Sequence, residues 1–258
     1  MVLNGLEDQG LIDNLIASGK RELRTGGSNK KCFLFDDYVL LYGSFKEEEL
    51  KQVMTIEQDL AGQGVNVLPT LDYRIEVAAT GLGFVKGYLL QRRARGSELY
   101  RRDMSEAQYA QRVREIAEMS PEKTDKFVAD WMAITNAGLR IDPSKCENFF
   151  YDEGKIHFID MNQQKRPVSI KMSFAEAANV LMGLGRKSPK YGEDLARIVE
   201  NVAGAFLKQG LGADDIRDVV SGYTYFLSPK QIEWVVGSLK KTNPQANIWQ
   251  MRRRIGGR

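Results

Sequence analysis

Between Gly138 and Asn162 the chain reads Gly-Leu-Arg-Ile-Asp-Pro-Ser-Lys-Cys-Glu-Asn-Phe-Phe-Tyr-Asp-Glu-Gly-Lys-Ile-His-Phe-Ile-Asp-Met-Asn, and no other stretch constrains the fold as strongly. A polar loop leads into a short apolar strand, Phe149 to Tyr151. A turn at Asp152-Glu153-Gly154 follows, and a second strand, Lys155 to Ile159, ends on Asp160. Strands joined by so short a turn form an antiparallel hairpin. The hairpin sets Asn148 at the start of one strand and Asp160 at the end of its partner. An amide oxygen and a carboxylate then converge on one place, as they do where a hard cation such as Mg2+ is held by few protein ligands and by phosphate and water oxygens. The plainer reading is that Asp142 caps a turn and Asp160 ends a strand at the surface, since Asx residues favour turns for local hydrogen-bonding reasons.

With 258 residues the chain can bury a sizeable core, as one bilobed domain or two small ones. It has no apolar run long enough to cross a bilayer. Its start, Met-Val-Leu-Asn-Gly-Leu-Glu-Asp-Gln, lacks the basic and apolar blocks of a secretory signal, so a cytoplasmic site of action is expected, in a host cytoplasm if the protein is a delivered effector. Cys32 and Cys146 are too few for a disulfide framework and lack zinc-ligand spacing. His157, the only histidine, leaves little scope for a Ser-His-Asp triad and reads as a packed strand residue. The formal net charge is a modest +3, and no nucleic-acid partner is expected. Arginines nevertheless gather at Arg92, Arg93, Arg95, Arg101 and Arg102 and again at Arg252, Arg253, Arg254 and Arg258. They form either a solvated face and a frayed tail, or a docking surface for an anionic partner.

Upstream, Leu11, Ile12, Leu15 and Ile16 at helical spacing predict a helix over 8–18. A strand from Arg21 runs into Gly26-Gly27-Ser28-Asn29, which is either a plain hairpin turn or a loop whose glycines let main-chain N–H groups approach anionic oxygens. Strands are expected over 31–35 and 38–42, a helix over 46–61, and strands near 71–77 and 84–91. Beyond these, helices are expected over 105–119 and 123–137 and, after the hairpin, near 173–184, 193–209, 213–221 and 229–240.

At Asp142, Asn148 and Asp160 the sequence resembles the protein-kinase-like superfamily, which includes protein kinases, aminoglycoside phosphotransferases and choline kinases. The resemblance spans roughly residues 20 to 165 and implies an α+β, bilobed protein-kinase-like fold. In that fold a small β-rich N-lobe would occupy residues 1–95 and a helical C-lobe residues 96–258. It implies ATP and Mg2+ as cofactors, Asp142 as the catalytic-loop aspartate, and Asn148 and Asp160 as metal ligands. Lys145 would neutralise charge on the transferring phosphoryl group, and Gly26, Gly27, Ser28 and Asn29 would cover the phosphates. Glu57 would be the helix glutamate that pairs a strand lysine, and main-chain groups near Gln91 to Arg93 would meet the adenine. The segment Gln163 to Ser169 resembles a reduced activation segment.

Three departures accompany the resemblance. Asn148 lies six residues after Asp142 where the family places it five after, and Met161-Asn162 follows the metal aspartate where the family has Phe-Gly. Aligned on Val39-Leu40-Leu41, the strand position that carries the family's lysine is Tyr42. A phenol supplies no cation near neutral pH, so Lys31, Lys46 or Lys86 has to reach in, or the phosphates are held differently. The implied activity is ATP-dependent phosphoryl transfer to a hydroxyl acceptor, with protein Ser/Thr favoured. The alternatives are a small-molecule kinase of aminoglycoside or choline kinase type, a catalytically silent binding module, and nucleotidyl transfer on the same scaffold.

Overall fold

An antiparallel sheet held between two helices occupies the first part of the chain. The computed structural model describes residues 10–18, 22–24, 31–77, 83–101, 103–145, 148–183 and 192–242, with side chains outside the description at 22–24 and 240–242. Helix α1 (Leu11–Ser18) precedes β1 (Glu22–Arg24), β2 (Lys31–Leu34) and β3 (Tyr38–Lys46); α2 (Glu47–Gly62) follows, then β4 (Thr70–Val77) and β5 (Phe84–Arg92). The strand order is β1-β2-β3-β5-β4, with every neighbouring pair antiparallel.

The faces of this sheet follow residue parity, because β3 pairs with β2 and β5 without a register break and cross-strand partners share a face. Leu41, Phe45, Val85 and Leu89 pack with Leu50 of α2. On the other face Leu40, Leu90, Phe33 and Tyr88 pack with Ile12 and its neighbours in α1. The β4–β5 pairing shifts register between Ile75 and Val77, and there the strands come so close that a Cβ on Gly87 would lie 1.9 Å from the Arg74 carbonyl oxygen.

The remainder is mostly helical. It runs β6 (Ser97–Glu98), α3 (Glu106–Ala117), α4 (Pro121–Asn136), β7 (Leu139–Arg140), β8 (Phe149–Asp152), β9 (Lys155–Phe158) and β10 (Asn162–Gln163), then α5 (Ile170–Leu181), α6 (Gly192–Lys208), α7 (Ala213–Ser221) and α8 (Pro229–Thr242). Local chemistry sets the helix starts. Ser105 and Gln108 form a capping box on α3, Ser120 caps α4 with Pro121 behind it, and Ser169 caps α5. The Ser169 cap starts α5 three residues ahead of the expected Ser173. The largest core cluster gathers Trp131, Phe149, Phe158, Phe174 and Phe206 with Val53 and Leu60 of α2, so α2 is bound to the sheet and to the helical part alike.

The α+β architecture, with a small antiparallel sheet first and a helical part after it, is the one expected from the sequence. The two-residue strands β6, β7 and β10 were not expected, being too short to carry a periodic signal. No helix among the described residues is long and apolar enough to cross a membrane.

Candidate active site

The site is built on the β8–β9 hairpin. Asp152 and Lys155 are Cα partners, leaving Glu153 and Gly154 as a two-residue loop with φ of 48° and 83°. Positive φ at both central residues is the type I′ geometry that matches the twist of the flanking strands. Phe149 and Phe158 are partners at the other end, and both are fully buried against Trp131. The core therefore fixes that end of the hairpin. His157, opposite Phe150, is half-buried, and burial holds its pKa below the usual imidazole value.

Beyond Phe149 and Phe158 the two chains stay together for one more step. Ile159 N–H donates to the Asn148 carbonyl at 3.0 Å, which brings Asp160 and Asn148 to neighbouring positions. Asn148 is 2% exposed, and its side-chain nitrogen is buried without a hydrogen-bond partner. A buried amide left unpaired by protein groups costs about 1–3 kcal/mol, so this amide is held in place by its surroundings rather than by its own bonds. Asp160 sits at φ 52°, in the left-handed region that Asp tolerates better than most residues but that still carries strain. Met161 is buried in the main core.

Asp142 lies on the loop that leads to Asn148. Its Oδ1 accepts from the Ser144 N–H at 3.0 Å and the Ser144 hydroxyl at 2.6 Å, the turn cap offered by the plainer sequence reading. Its Oδ2 lies 4.0 Å from Lys145 Nζ. Partial burial pushes the Asp142 carboxyl up, but the Ser144 hydroxyl and N–H, with Lys145 and Arg140, outweigh it and hold the pKa below the ordinary aspartate value. Asn148 N–H donates to the Lys145 carbonyl at 3.0 Å, so Lys145 is tied into the same loop.

A cleft of about 420 Å³ opens beside Asp142, lined by Arg140, Asn162, Gln163, Lys165 and Arg166 among others. Strands β7 and β10 form its base, pairing Arg140 with Asn162 and Leu139 with Gln163, and Gln164 N–H donates to the Gly138 carbonyl at 2.8 Å. Nothing in the sequence places Lys165, Arg166 or Arg140 beside Asp142. The two-residue ladder that does so has no sequence signal.

Glu57 and Gln91, expected to serve a lysine and the adenine, meet at Thr70. Glu57 is 2% exposed and its Oε2 accepts the Thr70 N–H at 2.8 Å, while Gln91 Nε2 donates to Thr70 Oγ1 at 3.1 Å. The structure commits the Arg93 N–H to the Asp37 carbonyl at 2.8 Å and its guanidinium to the Phe35 carbonyl at 3.0 Å. In the arginine cluster, Arg101 pairs with Asp103 at 3.0 Å, and Arg102 lies outside the described residues. So do Gly26, Gly27, Ser28 and Asn29.

Within β2 to β5 the basic side chains follow strand parity. Lys31 is the partner of Tyr42, Lys86 of Ser44 and Arg92 of Tyr38; Lys46 shares their parity, and Arg74 pairs with Asp13 of α1. Lys31, Arg74, Lys86 and Arg92 therefore lie on the face away from α2, while Lys46, at the junction with that helix, turns its ammonium to Glu49 in the first turn of α2 at 2.7 Å. Tyr42 lies on the face away from α2 too, its ring 4.7 Å from that of Tyr88 and under the Lys86 ammonium. The β3 positions whose parity faces α2 include Leu41, Gly43 and Phe45.

No protein-family profile matches the sequence, and no curated protein does. Among solved structures the chain is similar to the amicoumacin kinase hAmiN, solved in complex with AMP-PNP, Ca2+ and Ami, at 10% identity and TM-score 0.46 over 93% of this chain and 95% of that one. It is similar to a choline/ethanolamine kinase family protein from Mesorhizobium loti at 14% identity and TM-score 0.34, over 89% and 97% of the two chains. A third likeness is to the LegK7 effector kinase of Legionella pneumophila, at 11% identity and TM-score 0.41 over 90% and 67%. These likenesses are loose, and the functional reading below rests on the chain's own residues.

Proposed function

We propose that the protein is an ATP-dependent phosphotransferase of kinase-like fold acting on a hydroxyl acceptor, a protein Ser or Thr in the first instance. The observation that carries the reading is the hydrogen bond from Ile159 N–H to the Asn148 carbonyl, which sets Asn148 and Asp160 together at the end of a rigid hairpin, one short loop away from Asp142. An amide oxygen and a carboxylate are hard donors of the kind Mg2+ takes when phosphate and water oxygens complete its shell. The unpartnered buried amide of Asn148 fits that use, because no protein bond has to be broken to turn its oxygen to a cation. Among the described residues no cluster of three or more His, Cys, Asp or Glu gathers for a metal, which leaves this two-donor kind of site. Bound there, Mg2+ would neutralise charge on the nucleotide phosphates.

The chain's own groups divide the remaining work. Asp142 Oδ2, left free by the Ser144 cap on Oδ1, orients the acceptor hydroxyl and takes its proton as the hydroxyl oxygen bonds to the γ-phosphorus and the bond to the ADP oxygen breaks. A low carboxylate pKa makes Asp142 a weak base, and phosphoryl transfer asks mainly for positioning and charge stabilisation. Lys145, 4.0 Å from that oxygen, supplies a positive charge on the same loop.

One observation favours a second reading, a catalytically silent nucleotide-binding module: the aligned β3 position holds Tyr42, a phenol packed on Tyr88 under the Lys86 ammonium, on the sheet face that carries α1. Thermal melting with ATP and Mg2+, followed by incubation with labelled ATP and mass spectrometry, separates the cases. A raised melting point with a phosphate increment on the protein or an added acceptor supports the proposal. A raised melting point without transfer supports the module, an AMP increment supports nucleotidyl transfer, and the absence of any nucleotide effect overturns all three.

A further inference from the structure

We infer that the cleft beside Asp142 receives an acidic peptide, one whose acceptor hydroxyl is flanked by carboxylates. The inference rests on Asp142 being the group that meets the acceptor. Arg140, Lys165 and Arg166 line the cleft beside the single carboxylate of Asp142; with Arg140 paired to Glu176 behind it, Lys165 and Arg166 supply the exposed surplus of positive charge. Their placement is built rather than incidental: the β7–β10 ladder and the Gln164 to Gly138 hydrogen bond pin the segment carrying Lys165 and Arg166 onto the strand carrying Arg140. Arg140 is braced from behind by Glu176 of α5 at 3.2 Å, and Gln163 Nε2 donates to Gln52 Oε1 of α2 at 2.9 Å, so the floor is tied to two helices.

The character of the walls points to a peptide rather than a small molecule. Pockets that engulf small ligands are lined mostly by apolar and aromatic side chains, whereas every residue lining this cleft is polar or charged. Lys165 and Arg166 are exposed, and the Arg140 side chain is 54% exposed. Exposed and cationic, the surface selects by charge complementarity, which governs orientation and encounter more than burial does.

The test uses the full chain and fluorescent Ser-containing peptides of equal length with Asp/Glu, neutral or Lys/Arg flanks, read by anisotropy and, separately, by label transfer from ATP. The acidic peptide is expected to bind about tenfold or more tightly than the other two, and its affinity to fall as salt is raised. A Lys165→Glu/Arg166→Glu variant is expected to lose that preference, while Lys230→Glu, at an exposed cation of α8, keeps it. Unchanged melting points identify a folded variant, and Arg166→Gln alone gives a milder change of the same sign if the double variant is unstable. Equal binding of all three peptides, a basic preference, or tighter binding of a short single-stranded RNA overturns the inference. Acidic-peptide binding without label transfer upholds the surface and removes the phosphotransferase reading; transfer to neutral or basic peptides does the reverse.

Discussion

Ile159 donates its main-chain N–H to the carbonyl of Asn148 at 3.0 Å, one step past the last paired residues of the β8–β9 hairpin. The bond decides where Asp160 begins. Phe158 is also bridged to Val67 in parallel, with its N–H on the Asn66 carbonyl at 2.9 Å and its own carbonyl accepting from Leu68 at 3.0 Å. Three residues past Val67 on that neighbouring segment is Thr70, whose N–H is held by Glu57. Asp160 thus leaves a strand bonded to the Asn148 loop on one side and to the approach to β4 on the other, which holds its main chain at a left-handed residue.

Replacing either proposed metal donor removes transfer without unfolding the chain. Asp160→Asn keeps the shape and loses the charge, and Asn148→Ala deletes an amide that makes no protein hydrogen bond through its nitrogen. Each is expected to lower kcat by about a hundredfold or more, with the Mg2+-dependent part of the ATP melting shift lost. Initial rates and melting curves with and without Mg2+ check this. Wild-type rates in either variant would remove the pair from the site.

The hairpin was legible because its signals are local. Alternating apolar residues, a Glu-Gly turn and a terminal carboxylate all lie within a dozen positions, and Phe149 and Phe158 had no place to go but a core. The side of the sheet on which Tyr42, Lys31 and Lys86 lie was not legible. Strand parity is visible in sequence, but which parity faces which helix depends on where α1 and α2 pack, a matter of long-range contact. For the same reason the burial of Glu57 against Thr70 has no sequence signal, and neither has the two-residue β7–β10 ladder that sets Lys165 and Arg166 beside Asp142.

Glu57 is expected to matter to stability through Thr70. Glu57→Ala leaves the buried Thr70 N–H without its acceptor and opens a cavity, at a cost of about 2–4 kcal/mol. Glu57→Gln keeps an acceptor oxygen and costs about 1 kcal/mol or less. Urea denaturation of the three proteins measures the difference. If Glu57→Gln destabilises as much as Glu57→Ala, the carboxylate charge rather than the hydrogen bond is what the fold uses.

His157 gives a pH signature that no other imidazole can confuse, since the chain has one histidine. Burial lowers its pKa in the folded state, ahead of the opposing pull of Asp152. Protonation is then easier in the unfolded chain, whose value is about 6.5. The associated stability is full above that pH and declines as pH falls through the lower folded value. A single imidazole resonance titrating below 6.5 by NMR is expected, and a His157→Gln variant is expected to lose that part of the pH dependence. Titration at or above 6.5 would contradict the packing described for the β8–β9 strands.

In Asp142 the Ser144 cap and the proposed proton acceptor are different oxygens. Ser144 binds Oδ1 through both its N–H and its hydroxyl, while Oδ2 is turned to Lys145 and the cleft. Asp142→Asn preserves an acceptor for Ser144 but removes the charge and the proton acceptor, so the melting point changes little while kcat falls by about a hundredfold or more. Ser144→Ala does the opposite in kind: it leaves the carboxylate and removes a hydrogen bond that holds its pKa down. With the folded value depressed, stability from this group is complete above the free-aspartate value of about 3.9. It is lost as pH falls through the lower folded value. The acid limb of the pH–rate profile should accordingly lie below 3.9 in the wild type and move upward in Ser144→Ala. An acid limb that stays put in that variant would assign it to another carboxylate and leave Asp142 as a turn cap alone.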